Sequence, residues 1–174
     1  MSPSVIGSLR AGQKLEIEGE FDDDGALTSK TEIKQRHASS LRIKARIDSV
    51  QAVNKTVTIL GQTFYIDALT LFKDDCGSCA TLIRQFIVAN LSANESVEVK
   101  AYRVDTKWII GKLERVEPEN EPATIQGEVM SVVGDVVSIG GIQVKIANGS
   151  PPSVGDRVEF AVVNNNNVLT TIGD

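Results

Sequence analysis

Apolar and charged residues alternate in three stretches of this chain: Lys14-Leu15-Glu16-Ile17-Glu18, Ser96-Val97-Glu98-Val99-Lys100 and Arg157-Val158-Glu159-Phe160. A period of two is what a half-buried β-strand imposes, because successive side chains point to opposite faces of a sheet. Each stretch is entered through a turn of small or polar residues: Ala11-Gly12-Gln13, Ala93-Asn94-Glu95 and Val154-Gly155-Asp156. The recurrence marks an internal repeat. A second pattern repeats as well, since Ala45-Arg46-Ile47-Asp48-Ser49-Val50 aligns with Gly127-Glu128-Val129-Met130-Ser131-Val132. The step from Ala45 to Gly127 equals the step from Gly12 to Asn94, so one spacing fits two separate pairs. Val57-Thr58-Ile59 matches Val137-Ser138-Ile139 at a slightly shorter step, and such slippage belongs in a surface turn.

These matches predict units of about five short strands. The first half of a unit reads strand, turn, strand, turn, strand, as in Ile43 to Val50, Thr56 to Leu60 and Thr63 to Asp67. The second half is the alternating hairpin and its return strand. On this reading residues 1–40 hold a lone second half, 41–117 a complete unit with an insertion near 76–90, 118–122 a linker, and 123–174 a complete minimal unit. The expected class is all-β: tandem small antiparallel β-barrels of OB-like size, five to six strands each, with one short inserted helix. That helix is expected from Ala80 to Asn90, where Leu82, Ile83, Phe86 and Ile87 recur at helical spacing and would cover an open barrel end or dock a partner. Because the pattern opens on a second half, the chain reads as the C-terminal piece of a longer array, or as one whose first hairpin pairs with the next unit.

Three segments carry a resemblance: Gly155-Asp156-Arg157-Val158-Glu159-Phe160, Glu16-Ile17-Glu18-Gly19-Glu20-Phe21-Asp22-Asp23-Asp24-Gly25-Ala26-Leu27, and Thr58-Ile59-Leu60-Gly61-Gln62-Thr63-Phe64. They resemble a bacterial family of domains of unknown function numbered five-six-six-six, over nearly the whole chain from residue 5. The resemblance implies a small β-barrel module, often in tandem, in envelope or secreted proteins, with no established activity and no catalytic residues to transfer. Two departures stand out: Asn94-Glu95-Ser96 occupies the place of the expected Gly-Asp, and the insertion carries two cysteines.

Composition changes the picture little. With 41% hydrophobic residues, five phenylalanines, two tyrosines and one tryptophan, the core must be aliphatic. A unit of roughly fifty residues is close to the size at which a lone core becomes marginal, so neighbouring units are expected to share buried surface. Net charge is −5, and Arg42, Lys44 and Arg46 alternate on one strand face among acids, which reads as a mixed solvated surface rather than a nucleic-acid footprint. Ser2-Pro3-Ser4-Val5-Ile6-Gly7 lacks the pattern of a signal peptide, and no stretch has the length and apolarity of a membrane span.

Candidate chemistry is sparse. Cys76-Gly77-Ser78-Cys79 can be a redox dithiol, half of a zinc site, or a local bridge pinning the insertion. Zinc would need further ligands, and His37 is the only histidine. Asp22-Asp23-Asp24-Gly25 has part of a calcium-loop spacing but reads better as a hairpin turn between strands. No metal and no cofactor is expected, and a Ser-His-Asp or Cys-His arrangement would have to be built on His37 alone. The leading expectation is a non-enzymatic structural or interaction module whose partner is a protein or cell-envelope component. One alternative is an OB-like module for an oligosaccharide or single-stranded nucleic acid, using an exposed face around Tyr65, Tyr102 and Trp108. The other is a thiol redox protein using Cys76 and Cys79.

Overall fold

The computed structural model describes residues 14–18, 22–25, 32–36, 41–79 and 90–172, and the chain divides into two compact units, 1–38 and 39–174. In the first unit β1 (Lys14–Glu18) pairs antiparallel with β2 (Glu32–Arg36), Lys14 opposite Arg36 and Glu18 opposite Glu32. Between them Asp22–Gly25 forms a turn in which the Gly25 N–H donates to the Asp22 carbonyl and the Asp24 N–H to the Asp22 carboxylate, both at 3.0 Å. The Asp22 side chain thus braces the backbone of a hairpin turn.

Among the described residues the second unit contains eleven strands in one connected sheet. The first of them are β3 (Leu41–Gln51), β4 (Thr56–Ile59), β5 (Gln62–Tyr65), β6 (Leu71–Asp74), β7 (Ser96–Val104) and β8 (Lys107–Arg115). The rest are β9 (Ala123–Val133), β10 (Val136–Ile139), β11 (Ile142–Lys145), β12 (Arg157–Asn165) and β13 (Val168–Thr171). Strand pairing closes into two five-strand barrels. The first runs β3-β4-β5-β8-β7 and back to β3, and the second β9-β10-β11-β13-β12 and back to β9; in each, only the third and fifth strands are parallel. This is the strand order of an OB-type barrel. In addition β6 runs parallel to the end of β8. Among the described residues there is no α-helix. The helix expected from Ala80 to Asn90 falls, apart from Asn90, outside the described residues.

Equivalent hydrogen bonds recur at equivalent places. The Ile47 N–H donates to the Glu95 carbonyl at 2.9 Å and the Asn94 N–H returns to the Ile47 carbonyl at 2.8 Å; in the second barrel Val129 makes the same exchange with Asp156 and Gly155 at 2.8 and 2.9 Å. Asn94 has φ 67° and Gly155 φ 91°. The departure from glycine noted in the sequence is therefore conservative, since asparagine is one of the few side-chain-bearing residues that enter this region readily. The carboxylate next in line braces the turn in both barrels, Glu95 accepting from the Ser92 N–H at 3.0 Å and Asp156 from the Ser153 N–H at 2.9 Å.

The barrels join through an antiparallel ladder between β3 and β9, with Leu41 opposite Gly127 and Ile43 opposite Ile125. Ile43 and Ile125 are equivalent positions of the two repeats, so the ladder sits on a local two-fold axis and each barrel presents the same edge to the other. The edge is available for a simple reason. The second half of each first strand pairs with its hairpin partner, Ile47–Gln51 with β4 and Val129–Val133 with β10, which leaves the first half open on that side. One aliphatic core follows, running from Leu41, Ile43, Ile47, Val57, Ile59, Phe64, Val97, Val99, Ile110 and Leu113 into Ile125, Val129, Val137, Ile139, Ile142 and Val144. Each of the larger side chains contributes about 1.5–3 kcal/mol by leaving water, and sharing them lets a minimal second barrel be stable.

Candidate functional site

The two-fold relation between the barrels is broken where their hairpin turns meet the neighbour, and a cavity results. In one half the Gly140-Gly141 turn lies against the first barrel so closely that a Cβ on Gly140 would come 2.7 Å from Leu41 Cδ2, and one on Gly141 2.7 Å from Gln62 Oε1. In the other half Ala123 stands where Leu41 stands, and Leu60, at φ 51°, stands where Gly140 stands. A leucine in this conformation costs about 1–2 kcal/mol. Leu60 and Ala123 line a cavity of about 760 Å³ with Ala45, Val162 and Leu169, and its rim carries Lys44, Arg46, Asp48, Glu117, Glu119, Glu121, Asn164 and Asn167. The volume suits a small organic molecule.

Part of that rim is already engaged. Lys44 Nζ donates to Glu119 Oε2 at 2.6 Å. This hydrogen bond raises the Lys44 pKa and holds the Glu119 carboxyl below its usual range. Asp48 accepts from the Gly61 N–H at 2.9 Å, tying the Leu60-Gly61 turn to β3. Arg42 pairs with Glu98 on β7. Of the three alternating cations read from the sequence, two are therefore neutralised, one across the sheet and one by the segment joining the barrels.

Cys76 and Cys79 face each other at disulfide distance, Cα to Cα 5.4 Å, Cys76 only 1% exposed and Cys79 half-buried. Two anchors hold this loop. Arg115, at the end of β8, grips Asp74 through Nε to Oδ1 at 2.9 Å and Nη2 to Oδ2 at 2.7 Å, and Asp74 Oδ1 also accepts the Cys76 N–H at 3.2 Å. Glu95 lies 3.5 Å from Arg115 Nη1, so the turn before β7 joins the same network. The second anchor is Glu117, which accepts from the Ser78 N–H at 2.8 Å and from the Ser78 hydroxyl. The Ser78 hydroxyl, then its N–H, holds the Glu117 carboxyl below the ordinary glutamate range. Glu117 Oε2 is also 4.0 Å from Cys76 Sγ. Joined in this way the two sulfurs are not available as metal ligands, and among the described residues no group of three or more His, Cys, Asp or Glu is placed to hold a metal.

The aromatic face does not assemble. Tyr102 is 7% and Trp108 6% exposed, and only Tyr65 is half-exposed, with Lys107 Nζ 4.8 Å from its ring centroid. Trp108 sits in the shared core beside Phe64 on the neighbouring parallel strand. Tyr102 is buried directly after the buried Ala101, two consecutive β7 residues shielded from solvent, at the point where the ladder skips Gly111 of β8 and the register shifts. Strict alternation does not anticipate that bulge. The Arg115–Asp74–Glu95 network was also missed, having no short-range signature. The cavity did leave a trace, the mismatch of Leu41 with Ala123 and of Leu60 with Gly140 in the aligned repeats.

Family comparison bears on the first barrel. Residues 44–109 match the model of a family described as Domain of unknown function (DUF5666). That span runs from within β3 to the start of β8, and it is narrower than the resemblance drawn from the sequence. No curated protein and no solved structure matches the chain.

Proposed function

We propose that this protein is a non-enzymatic interaction module that presents two barrels as one rigid body, in a bacterial envelope or secreted setting. The β3–β9 ladder carries this reading, because a main-chain ladder centred on Ile43 and Ile125, continuous with a common core, resists relative motion of the barrels. The joined Cys76 and Cys79 favour an oxidising compartment. The tandem arrangement of the resembling family fits as well, with the second barrel as a further copy of the domain matched in the first. Nitrogen-15 relaxation tests the rigid body. The barrel strands of 41–171 are expected to share one rotational correlation time, and two distinct times would refute it.

A second reading is an OB-like binding module, and the cavity between the barrels supports it better than the buried aromatics do. Titration with oligosaccharides and short single-stranded DNA, followed by amide shifts, separates the two. Saturable shifts at Leu60, Gly61, Ala123 and Asn164 would favour the binding module, while no shifts, or shifts confined to the Tyr65 surface, would remove the cavity from consideration.

A further inference from the structure

We propose that the Cys76–Cys79 bridge is a redox-responsive latch on the segment that joins the barrels. The loop closed by the bridge offers two donors from Ser78 to Glu117, and Glu117 begins the 117–122 segment that forms one wall of the cavity. Farther along, Glu119 is tied to Lys44 on β3. The segment is thus held at two points, one on the first barrel's main sheet and one on a loop whose shape depends on a sulfur–sulfur bond.

Access is one-sided. Cys76 is 1% exposed while Cys79 is half-buried, so an external dithiol reaches Cys79 Sγ. Its thiolate attacks that sulfur, the sulfur–sulfur bond breaks, and the electron pair leaves on Cys76 Sγ, which takes a proton from solvent. The second thiol of the reductant then attacks the mixed disulfide and frees Cys79, so the protein gains two electrons and two protons and the reductant becomes a cyclic disulfide. The departing Cys76 thiolate develops 4.0 Å from the Glu117 carboxylate. Like charges at that distance repel, so Glu117 slows the reduction step; once Cys76 is protonated the repulsion is gone, and it is the opened loop, no longer holding its Ser78 donors in place, that loosens Glu117. The Asp74–Arg115 clamp on the Cys76 N–H involves neither sulfur, so the barrel end persists when the latch opens.

The test is hydrogen exchange of the full chain, oxidised and after dithiothreitol, combined with reduction rates of the wild type and Glu117→Gln at fixed pH. Opening of the latch predicts exchange of the Ser78 amide faster by about tenfold as it loses its Glu117 acceptor, with β7, β8 and β9 unchanged. Cys76→Ser with Cys79→Ser is expected to match the reduced protein without any reductant. Glu117→Gln is expected to reduce several-fold faster, because the repelling charge is gone while the shape is kept. Unchanged exchange at the Ser78 amide, loss of protection throughout the barrels, or an unaltered reduction rate in Glu117→Gln would each overturn the latch.

Discussion

Replacing Arg115 by methionine removes a buried cation from a site that keeps its carboxylates. The Arg115 and Asp74 side chains are 5% and 8% exposed, the pair is bidentate, and Glu95 lies 3.5 Å away on the other side of the guanidinium. With arginine gone, Asp74 retains the Cys76 N–H but loses the bidentate guanidinium, and Glu95 adds repulsion. Removing one partner of a buried pair costs about 3–5 kcal/mol, whereas replacing both by apolar residues of similar volume is often neutral. Arg115→Met is therefore expected to lower stability by about that amount and Tm by on the order of 10 °C. The companion Arg115→Met with Asp74→Met should recover most of the loss. Urea unfolding is the assay, with the midpoint falling at constant slope. A single variant within about 1 kcal/mol of wild type, or a double variant no better than the single, would refute the reasoning.

Gly155→Val should cost about 1–2 kcal/mol from its left-handed backbone alone, no atom lying within 4 Å of an added Cβ. Gly155→Asn should be nearly neutral, as Asn94 holds the equivalent place, and thermal melts of the two variants decide between backbone strain and side-chain crowding. Leu41→Ala should cost about 2–5 kcal/mol, and adding Gly140→Leu should recover part of it by reproducing the Ala123 and Leu60 arrangement; a double variant less stable than Leu41→Ala would break the proposed equivalence. Glu117 and Glu119, both lowered by their hydrogen-bond partners, contribute their hold on the segment at neutral pH and lose it as pH falls through their depressed pKa values. Carbon-13 carboxyl titration should place both midpoints below the ordinary glutamate value, and Lys44, raised by Glu119, should keep its end of the contact until strongly alkaline pH.

Local sequence determined the strands and most of the turns, because period-two alternation and left-handed turn residues act within a few positions along the chain. The equivalence of Asn94 with Gly155 and of Glu95 with Asp156 was readable for that reason, as were the two barrels and the aliphatic core. Tertiary structure alone decided how the barrels meet. The β3–β9 ladder depends on which strand edges remain open after each barrel closes, a property of the whole circuit of pairing. The burial of Tyr102 beside Ala101 breaks the alternation of β7, and that of Trp108 depends on the neighbouring strand beside it. The candidate site shows the same division. Cys76 and Cys79 were visible as a pair, but their partner Glu117 is 39 residues from Ser78, brought there by the fold. The cavity exists because the Gly140-Gly141 turn meets Leu41 while its counterpart Leu60-Gly61 lies beside Ala123, two side-chain differences that become space only when the barrels are joined.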